Sequence, residues 1–380
     1  MNSSRIRRLQ NNLKNPILLK KKENLLYLTG RSFMHGYILV KKDEVVFLGD
    51  GLEKFEGAKS DFLKNVGKYI SRNQTLQVFG EFNYAEVRYI RIKNPKLRVK
   101  VRVEREPADK VRMVKDPEEI ALIGKSMQIV EQVFKHVRKQ IKKPGMTELR
   151  LADFIKSSGS KFGAEDISFP PIVAAGHHAA IPHHVPDKTR LKPNQSIILD
   201  FGFKYKNYCS DFTRTVFLKS APKKLAQAYE QVEKAYNQSM DFVSLRGVSK
   251  DYQSRDEAIL TQGRLLRPHI LKQKNIGARN DVGVTGNDVY QKSVEVLAEK
   301  RLDQYFIHSL GHGTGLEIHE LPNLSPNSKD ILQDSMVFSI EPGVYLPKRG
   351  GIRIEDLVHL ENGKVKKFIN VSTKLEDNIW

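Results

Sequence analysis

The chain has 380 residues, 39% of them hydrophobic, and a formal net charge of +20. A chain of this length is too long for one ordinary hydrophobic core, which predicts two domains. No apolar run reaches the roughly 18 residues that a membrane-spanning helix requires, and no apolar segment follows the basic residues at the start, so we expect a cytoplasmic protein without a membrane segment. The single cysteine, Cys209, excludes an internal disulfide.

The positive charge is spread along the sequence. Its densest stretch, residues 93–105, alternates basic and apolar residues from Leu97 to Val103, which predicts a half-buried strand with a solvated face. No aromatic residues alternate with these cations, and no known nucleic-acid-binding motif is present. The charge therefore permits a nucleic-acid partner, but no motif supports one.

The first 110 residues predict a small domain of mixed helices and strands. An amphipathic helix is expected from Arg5 to Leu13, and GYILVKKDEVVFLGD predicts a hairpin with its turn at KKDE. From residue 111 the pattern changes. Asp116 and Pro117 suit the N-cap and first position of a helix, and apolar residues recur at helical spacing after them.

Three further amphipathic helices are expected, at 148–157, 225–242 and 287–299. The strands between the helices carry the acidic and histidine clusters. Helices and antiparallel strands segregated in this way predict an α+β fold for residues 111–380.

Two aspartates are predicted to share one face of a hairpin. Two runs of β-forming residues flank Lys206 and Asn207, which predicts a tight turn. This turn places Gly202 opposite Asp211, with Asp200 diagonal to Asp211 at about 7–8 Å across the empty side of the glycine. Like charges so close in a hydrophobic hairpin indicate a bound cation; solvated aspartates are the alternative.

A second acidic pair lies in MVFSIEPGVYLPKRGGIRIEDLVHL. Glu341 is expected at the end of an apolar strand, and Glu355 within another. Both require a compensating charge, because an unpaired buried carboxylate is costly. Arg353 supplies part of that charge, but not enough for four carboxylates.

The segment HSLGHGTGLEIHE, residues 308–320, combines histidines with glycines. The glycines argue against a regular helix and favour backbone that approaches another group closely. His312 is then a candidate metal ligand between His308 and His319; a core histidine with satisfied hydrogen bonds is the alternative. Four carboxylates and one imidazole form a hard donor set that favours Mn²⁺, Co²⁺, Fe²⁺ or Zn²⁺. Their charge balances two divalent cations, which predicts a two-metal centre.

These motifs, in this order, resemble the signature of the M24 "pita-bread" metallopeptidases, in particular the aminopeptidase P and prolidase branch. The resemblance is carried by the aspartate pair, HSLGHGTGLEIHE, SIEPGVY and GIRIED. AAIPHH resembles the proline–histidine motif of the branch, in which His183 is the matching histidine. The resemblance covers most of the chain. It implies a pita-bread (creatinase/aminopeptidase-like) catalytic domain at 111–380 and a smaller creatinase-like α/β domain at 1–110.

The resemblance also implies metal ligands. Asp200 would bind one ion, His312 and Glu341 the other, and Asp211 and Glu355 both. An activated water would attack the scissile carbonyl, with Glu341 moving the proton.

Further side chains are implied to act on the substrate. His308 and His319 would orient it and stabilise the oxyanion, and His183 would complete the substrate wall. Arg353 would fix the geometry of the carboxylates.

The implied activity is that of an Xaa-Pro aminopeptidase, which removes the first residue of peptides that have proline second. Two divalent ions are expected, Mn²⁺ first, with Co²⁺ or Zn²⁺ as alternatives. Prolidase, which cleaves Xaa-Pro dipeptides, is one alternative function; a non-catalytic binding protein with this fold is another. A homodimer is expected, because the cleft in this branch includes the N-terminal domain of a neighbouring subunit.

One region departs from the family pattern. About 40 residues separate the helix ending near Phe242 from DVGVTGNDVYQKSVEVLAEK, where relatives have a short stretch. Residues 244–280 contain eight Lys or Arg and three Asp or Glu. We expect a basic insertion there, either a surface excursion or a partner-binding element.

Overall fold

The computed structural model describes residues 3–31, 36–49, 62–71, 73–246 and 283–380. The chain divides into two compact units, Met1–Met113 and Val114–Trp380. The assignment of residues 1–110 and 111–380 as separate domains stays a prediction. In the described part of the chain, no helix has both the length and the apolar character needed to cross a membrane.

The first unit is built on a mixed five-stranded sheet with the spatial order β3-β2-β1-β4-β5. Its strands are β1 (Ile17–Leu19), β2 (Gly36–Val40), β3 (Val45–Gly49), β4 (Thr75–Val78) and β5 (Arg98–Val101). The helices are α1 (Ser3–Asn11), α2 (Lys22–Thr29), α3 (Tyr84–Lys93) and α4 (Pro107–Met113). In the β2–β3 hairpin Val40 pairs with Val45 around the KKDE turn, which confirms that prediction. The opening helix is also confirmed.

Strand β5 lies at the edge of this sheet, and its burial differs from the prediction. Leu97 and Val99 pack against the core of the unit, as expected for a half-buried strand. Val101 and Val103, which the alternation places on the same side, are 43% and 96% exposed. The strand ends at Val101, so Val103 lies beyond the sheet.

The second unit begins with a long, well-capped helix. Its helices are α5 (Pro117–Gln140), α6 (Glu148–Lys161), α7 (Lys223–Arg246) and α8 (Gly286–Ala298). The Asp116 side chain accepts from the Glu119 amide, and the Glu119 side chain accepts from the Asp116 amide. This reciprocal capping box satisfies two backbone donors and confirms the predicted start of α5. The other three helices of the unit also lie where the sequence predicts them.

The helices of this unit are accompanied by antiparallel sheets. The strands are β6 (Asp166–Ile167), β7 (Ile172–Ala175), β8 (Ser196–Asp200), β9 (Phe203–Tyr205), β10 (Tyr208–Cys209), β11 (Phe212–Phe217), β12 (Gly311–Gly313), β13 (Glu320–Leu324), β14 (Val337–Ile340), β15 (Gly343–Leu346), β16 (Gly350–Arg353), β17 (Glu355–Glu361) and β18 (Lys364–Lys367). The largest sheet has the order β13-β12-β14-β17-β11-β8-β7, with β18 paired to β17. This segregation of helices and antiparallel strands is the predicted α+β arrangement.

The hairpin that contains the two aspartates has the predicted register. Lys206 and Asn207 both have positive φ, 47° and 69°, as a tight hairpin turn requires. Asp200 pairs with Thr213, in agreement with a turn centred on these two residues. The expected empty space beside Gly202 is wrong, because a Cβ there would lie 1.8 Å from the Ser210 carbonyl oxygen. The glycine instead permits a close approach of the two backbones. It lies where each arm of the hairpin is divided into two strands, β8 and β9 in one arm and β10 and β11 in the other.

Candidate metal centre

Five predicted ligands converge on neighbouring strands of the large sheet. Asp200 ends β8, Asp211 precedes β11, Glu355 begins β17, Glu341 follows β14, and His312 lies in β12. Thr213 pairs with both Asp200 and Glu355, which aligns the adjacent ends of β8, β11 and β17. The sheet therefore brings together carboxylates that are up to 155 residues apart in sequence.

The backbone approaches β12 closely, as the glycines of HSLGHGTGLEIHE predict. A Cβ on Gly311 would lie 2.0 Å from the Ser339 carbonyl oxygen of β14. Without a side chain at this position, β12 packs against β14 and places His312 beside the carboxylates. The imidazole Nε2 of His312 lies 3.4 Å from Oδ2 of Asp211 and 3.5 Å from Oε1 of Glu341.

The tautomer of His312 suits a metal ligand. Its Nδ1 lies 3.1 Å from the Gly313 carbonyl oxygen and donates to it. Nε2 then carries the lone pair and faces the carboxylates. Burial, with the nearby His319 as the second cause, lowers the pKa of His312 to about 4, so the ring is neutral near pH 7.

The four carboxylates, three buried and Glu341 half-buried, lie together at a high electrostatic cost. Burial raises the pKa of Asp200, and it raises the pKa values of Asp211 and Glu355 further with the help of neighbouring carboxylates. Burial raises the pKa of Glu341 to about 8, against the lowering effect of Arg353. Such shifts indicate that the four carboxylates, when ionised, need more positive charge than the surrounding side chains provide.

The donor atoms fit divalent cations. Oδ1 of Asp200 and Oε1 of Glu355 are buried and have no hydrogen-bond partner. Asp211, His312 and Glu355 each offer one ligand atom, and these three atoms lie within 4.8 Å of one another. Oxygen-rich donors with one imidazole suit hard or borderline divalent ions. This cluster can therefore hold metal, and it is consistent with a dinuclear centre.

Arg353 connects two of the carboxylates. It donates from Nη2 to Oδ2 of Asp200 at 2.5 Å and from Nε to Oγ1 of Thr213 at 3.3 Å. Thr213 in turn donates to Oε2 of Glu355 at 2.6 Å. Arg353 therefore contacts Asp200 directly and reaches Glu355 through Thr213, which favours the expected role in fixing carboxylate geometry.

His308 lies near the centre, with both ring nitrogens in contact with protein groups. Nδ1 lies 2.7 Å from the Ser309 carbonyl oxygen, and Nε2 lies 2.9 Å from the Tyr345 hydroxyl. Nδ1 must donate to the carbonyl oxygen, and burial lowers the pKa of His308 to about 4, so Nε2 of the neutral ring accepts from the Tyr345 hydroxyl, to which Arg353 donates at 2.6 Å. In this arrangement Nε2 of His308 accepts, and it presents no N–H to a substrate.

The other two predicted histidines lie at the border of the centre. His183 and His319 are exposed. His183 lies close enough to Asp200 and His308 to interact with both electrostatically. The rings of His319 and His312 are 4.4 Å apart. All the predicted site residues of this unit therefore lie at or beside one centre.

Three polar residues of the centre were missed by the sequence analysis: Thr213, Ser339 and Tyr345. Ser339 accepts from the His312 amide at 3.1 Å and donates to Oε1 of Glu341 at 3.2 Å. Period-two alternation offered a signal, because Thr213 is two residues from Asp211 and Ser339 is two residues from Glu341. Tyr345 stands within SIEPGVY itself.

The chain is similar to known peptidases over nearly its whole length. The sequence model of metallopeptidase family M24 matches residues 121–259 and 271–362. The interval between the matches falls within the expected insertion at 244–280, of which residues 247–280 lie outside the described part of the chain.

Three relatives illustrate the similarity. The "Putative Xaa-Pro aminopeptidase" of Mycoplasma pneumoniae is 33% identical over 374 residues, which cover 94% of this chain and 92% of that protein. The Xaa-Pro dipeptidase of Pyrococcus furiosus is 29% identical over 369 residues, 94% of each chain. The structure of the Xaa-Pro dipeptidase from Bacillus anthracis has a TM-score of 0.80 at 25% identity and covers 98% of this chain and 99% of that one. The chain therefore has the pita-bread fold and belongs to metallopeptidase family M24.

Proposed function

We propose that this metallopeptidase is an Xaa-Pro aminopeptidase, which removes the first residue of peptides that have proline second. The observation that carries the proposal is the set of four carboxylates around His312, three of them buried and Glu341 half-buried, two of which have an oxygen without a hydrogen-bond partner. The similarity to the M. pneumoniae protein over 94% of the chain supports the choice of substrate.

The proposed ligands are five. Asp200 would bind one ion, His312 and Glu341 the other, and Asp211 and Glu355 both. Two divalent cations balance four carboxylates, and Mn²⁺ suits the oxygen-rich donors, with Co²⁺ or Zn²⁺ as alternatives. When bound, the ions would polarise the scissile carbonyl and lower the pKa of water.

Glu341 is the proposed acid and base. It lies beside His312 and accepts from Ser339, which fixes one of its oxygens. Burial raises the pKa of Glu341, which makes its carboxylate a stronger base than an exposed one. Glu341 would take the proton from the attacking water and pass it to the leaving proline nitrogen.

The histidines are proposed to contact the substrate differently. His319, exposed beside His312, would stabilise the oxyanion. His308 would orient the substrate by ring contact, and its Nε2 contacts the Tyr345 hydroxyl, to which Arg353 donates. His183 would form part of the wall that encloses the proline side of the peptide.

Prolidase is the second candidate function. It is favoured by the similarity to Xaa-Pro dipeptidases, one of which matches this fold with a TM-score of 0.80. Membership in a metallopeptidase family disfavours the non-catalytic alternative. We also propose that the enzyme is a cytoplasmic homodimer, which light scattering and cell fractionation would test.

A peptide series distinguishes these functions. The protein is stripped with a chelator, reloaded with Mn²⁺ and assayed on Xaa-Pro, Xaa-Pro-Yaa, N-acetylated Xaa-Pro-Yaa and Xaa-Ala-Yaa. We expect metal-dependent cleavage of Xaa-Pro-Yaa between Xaa and Pro, with the acetylated peptide resistant and the alanine peptide much slower. The bond before proline is a tertiary amide without an N–H, so a site that accepts it must fit the ring. Cleavage of Xaa-Pro alone would identify a prolidase, and no metal-dependent cleavage of either would contradict both functions.

A further inference from the structure

A second group of histidines and carboxylates lies apart from the carboxylate centre. Glu148 is in the first turn of α6, His178 in the 3-10 helix Gly176–Ala180, and His184 and Asp187 in the following loop. Each offers one ligand atom, and the four atoms lie within 4.8 Å of one another. Glu148 is fully buried, the two histidines are half-buried, and Asp187 is exposed.

Both imidazoles point a nitrogen at the same buried carboxylate. Nε2 of His184 lies 2.8 Å from Oε2 of Glu148, and Nδ1 of His178 lies 3.0 and 3.2 Å from its two oxygens. The two rings stack with their centroids 4.2 Å apart. Backbone amides of Ala175 and Asp187 also donate to Glu148, at 2.7 and 3.3 Å. This carboxylate is therefore held rigidly while the imidazoles face it.

The donor atoms of this cluster suit a divalent transition-metal ion of borderline hardness. Two imidazoles and two carboxylates suit Zn²⁺, whose bonds to nitrogen and oxygen are about 2.0–2.2 Å long. Tetrahedral bonds of this length separate ligand atoms by about 3.3–3.6 Å. The observed contacts of 2.8–3.2 Å are a few tenths of an ångström shorter. Small outward shifts of the rings would make room for an ion.

The protons on the imidazoles present no obstacle. A neutral histidine carries its proton on either nitrogen. The proton of His178 would move from Nδ1 to Nε2, and that of His184 from Nε2 to Nδ1, which turns each facing nitrogen into a lone-pair donor. Asp187, as the exposed member, connects the cluster with solvent and provides a route for the ion.

We propose that Glu148, His178, His184 and Asp187 bind one divalent ion of the Zn²⁺ class, separate from the dinuclear centre. The ion would join the first turn of α6 to the loop that carries His183. The neighbouring Pro182 carbonyl oxygen lies 3.4 Å from Nη1 of Arg353, so this loop also reaches the carboxylate centre. The bound ion would hold the loop in place.

Two substitutions separate metal binding from hydrogen bonding. His178→Asn places an amide nitrogen near the position of Nδ1, and His184→Gln places one near Nε2. Both variants keep a donor toward Glu148 but lose the imidazole ligand. His136→Asn is the matched control, because His136 is exposed on α5 and its Nδ1 contacts the Gln132 carbonyl oxygen at 2.9 Å.

The measurement is made on the full chain with Asp211→Asn and His312→Asn, which disable the carboxylate centre. In this parent we expect one tightly bound Zn²⁺ per chain, two imidazole ligands in its X-ray absorption spectrum, and a higher Tm with Zn²⁺ than without. Adding His178→Asn and His184→Gln should weaken Zn²⁺ binding by more than about 100-fold, the upper range for losing only a partner of a ligand. Adding His136→Asn to the parent should change neither the Zn²⁺ affinity nor the rise in Tm with Zn²⁺.

Equal Zn²⁺ affinity in the parent and the His178→Asn, His184→Gln protein would overturn the proposal and leave the cluster as a hydrogen-bonded network. The absorption spectrum of the parent tests the same proposal without these two substitutions. A spectrum that lacks imidazole scattering would contradict it.

Discussion

Arg353 donates to Oδ2 of Asp200 at 2.5 Å and, from its other terminal nitrogen, to the Tyr345 hydroxyl at 2.6 Å. The buried Arg353 guanidinium therefore offsets part of the negative charge of Asp200 and orients the Tyr345 hydroxyl that contacts His308. Oδ1 of Asp200 has no hydrogen-bond partner, so Arg353 leaves one oxygen for a metal ion.

Replacing this guanidinium tests its role in positioning. Arg353→Met should lower metal affinity and kcat/KM by about 10–100-fold, the usual effect of losing a partner of a metal ligand. Metal titration and steady-state kinetics on Xaa-Pro-Yaa measure both values. Arg349→Met, at an exposed position before β16, is the control and should match the wild type. Unchanged metal affinity in Arg353→Met would exclude the positioning role.

Asp211 is the proposed bridging ligand whose loss should affect both ions. Asp211→Asn removes one negative charge from the buried cluster, so we expect activity to fall by at least about 100-fold and metal content to drop below two ions per chain. Elemental analysis and the peptide assay measure these effects. Asp166→Asn, an exposed aspartate of β6, should change neither. A fully active Asp211→Asn protein that retains two ions per chain would refute the assignment.

Gly202 permits the close approach that positions the aspartate hairpin. In Gly202→Ala the new Cβ would meet the Ser210 carbonyl oxygen at 1.8 Å, so the backbone must move. We expect a loss of about 1–3 kcal/mol in the free energy of unfolding, as for other changes that overpack a buried site. Calorimetry measures the corresponding fall in Tm.

The control for this substitution lies in the helix α5. Gly124→Ala places its Cβ 3.5 Å from Phe368, an ordinary contact, and adds a residue with a higher helix propensity. Its Tm should equal or exceed that of the wild type. A Gly202→Ala protein with wild-type Tm would show that the hairpin adjusts without cost.

Glu106 should make the stability of the first unit depend on pH. Its side chain is 3% exposed, Oε1 has no hydrogen-bond partner, and burial raises its pKa to about 7. Between about pH 4.5 and 7 the folded state binds more protons than the unfolded state, so the free energy of unfolding falls as pH rises. Glu106→Gln removes this titration and should stabilise the protein by about 1–3 kcal/mol at pH 8, with little change at pH 4.5.

Thermal unfolding of Glu106→Gln at the two pH values measures this difference. Glu104→Gln changes an exposed carboxylate two residues away and should shift Tm little at either pH. A Glu106→Gln protein whose Tm differs from the wild type equally at both pH values would contradict the proposed titration.

Local patterns in the sequence predicted much of the fold. Asp116 and Pro117 marked the start of α5, because capping depends on residues within one turn. Lys206 and Asn207 determined the hairpin register, because a tight turn pairs the residues on either side of it. The order of the acidic and histidine motifs also indicated a metal centre, since unpaired charge in apolar strands requires compensation.

Only the tertiary structure decided how those side chains meet. Thr213 pairs with both Asp200 and Glu355, a relationship set by the order of strands across the sheet. The tertiary structure also showed that a carbonyl oxygen occupies the space beside Gly202. Glu148 gave no sequence signal, because its two histidine partners lie 30 and 36 residues further along the chain. Such contacts depend on the packing of distant segments, which local propensity and periodicity do not encode.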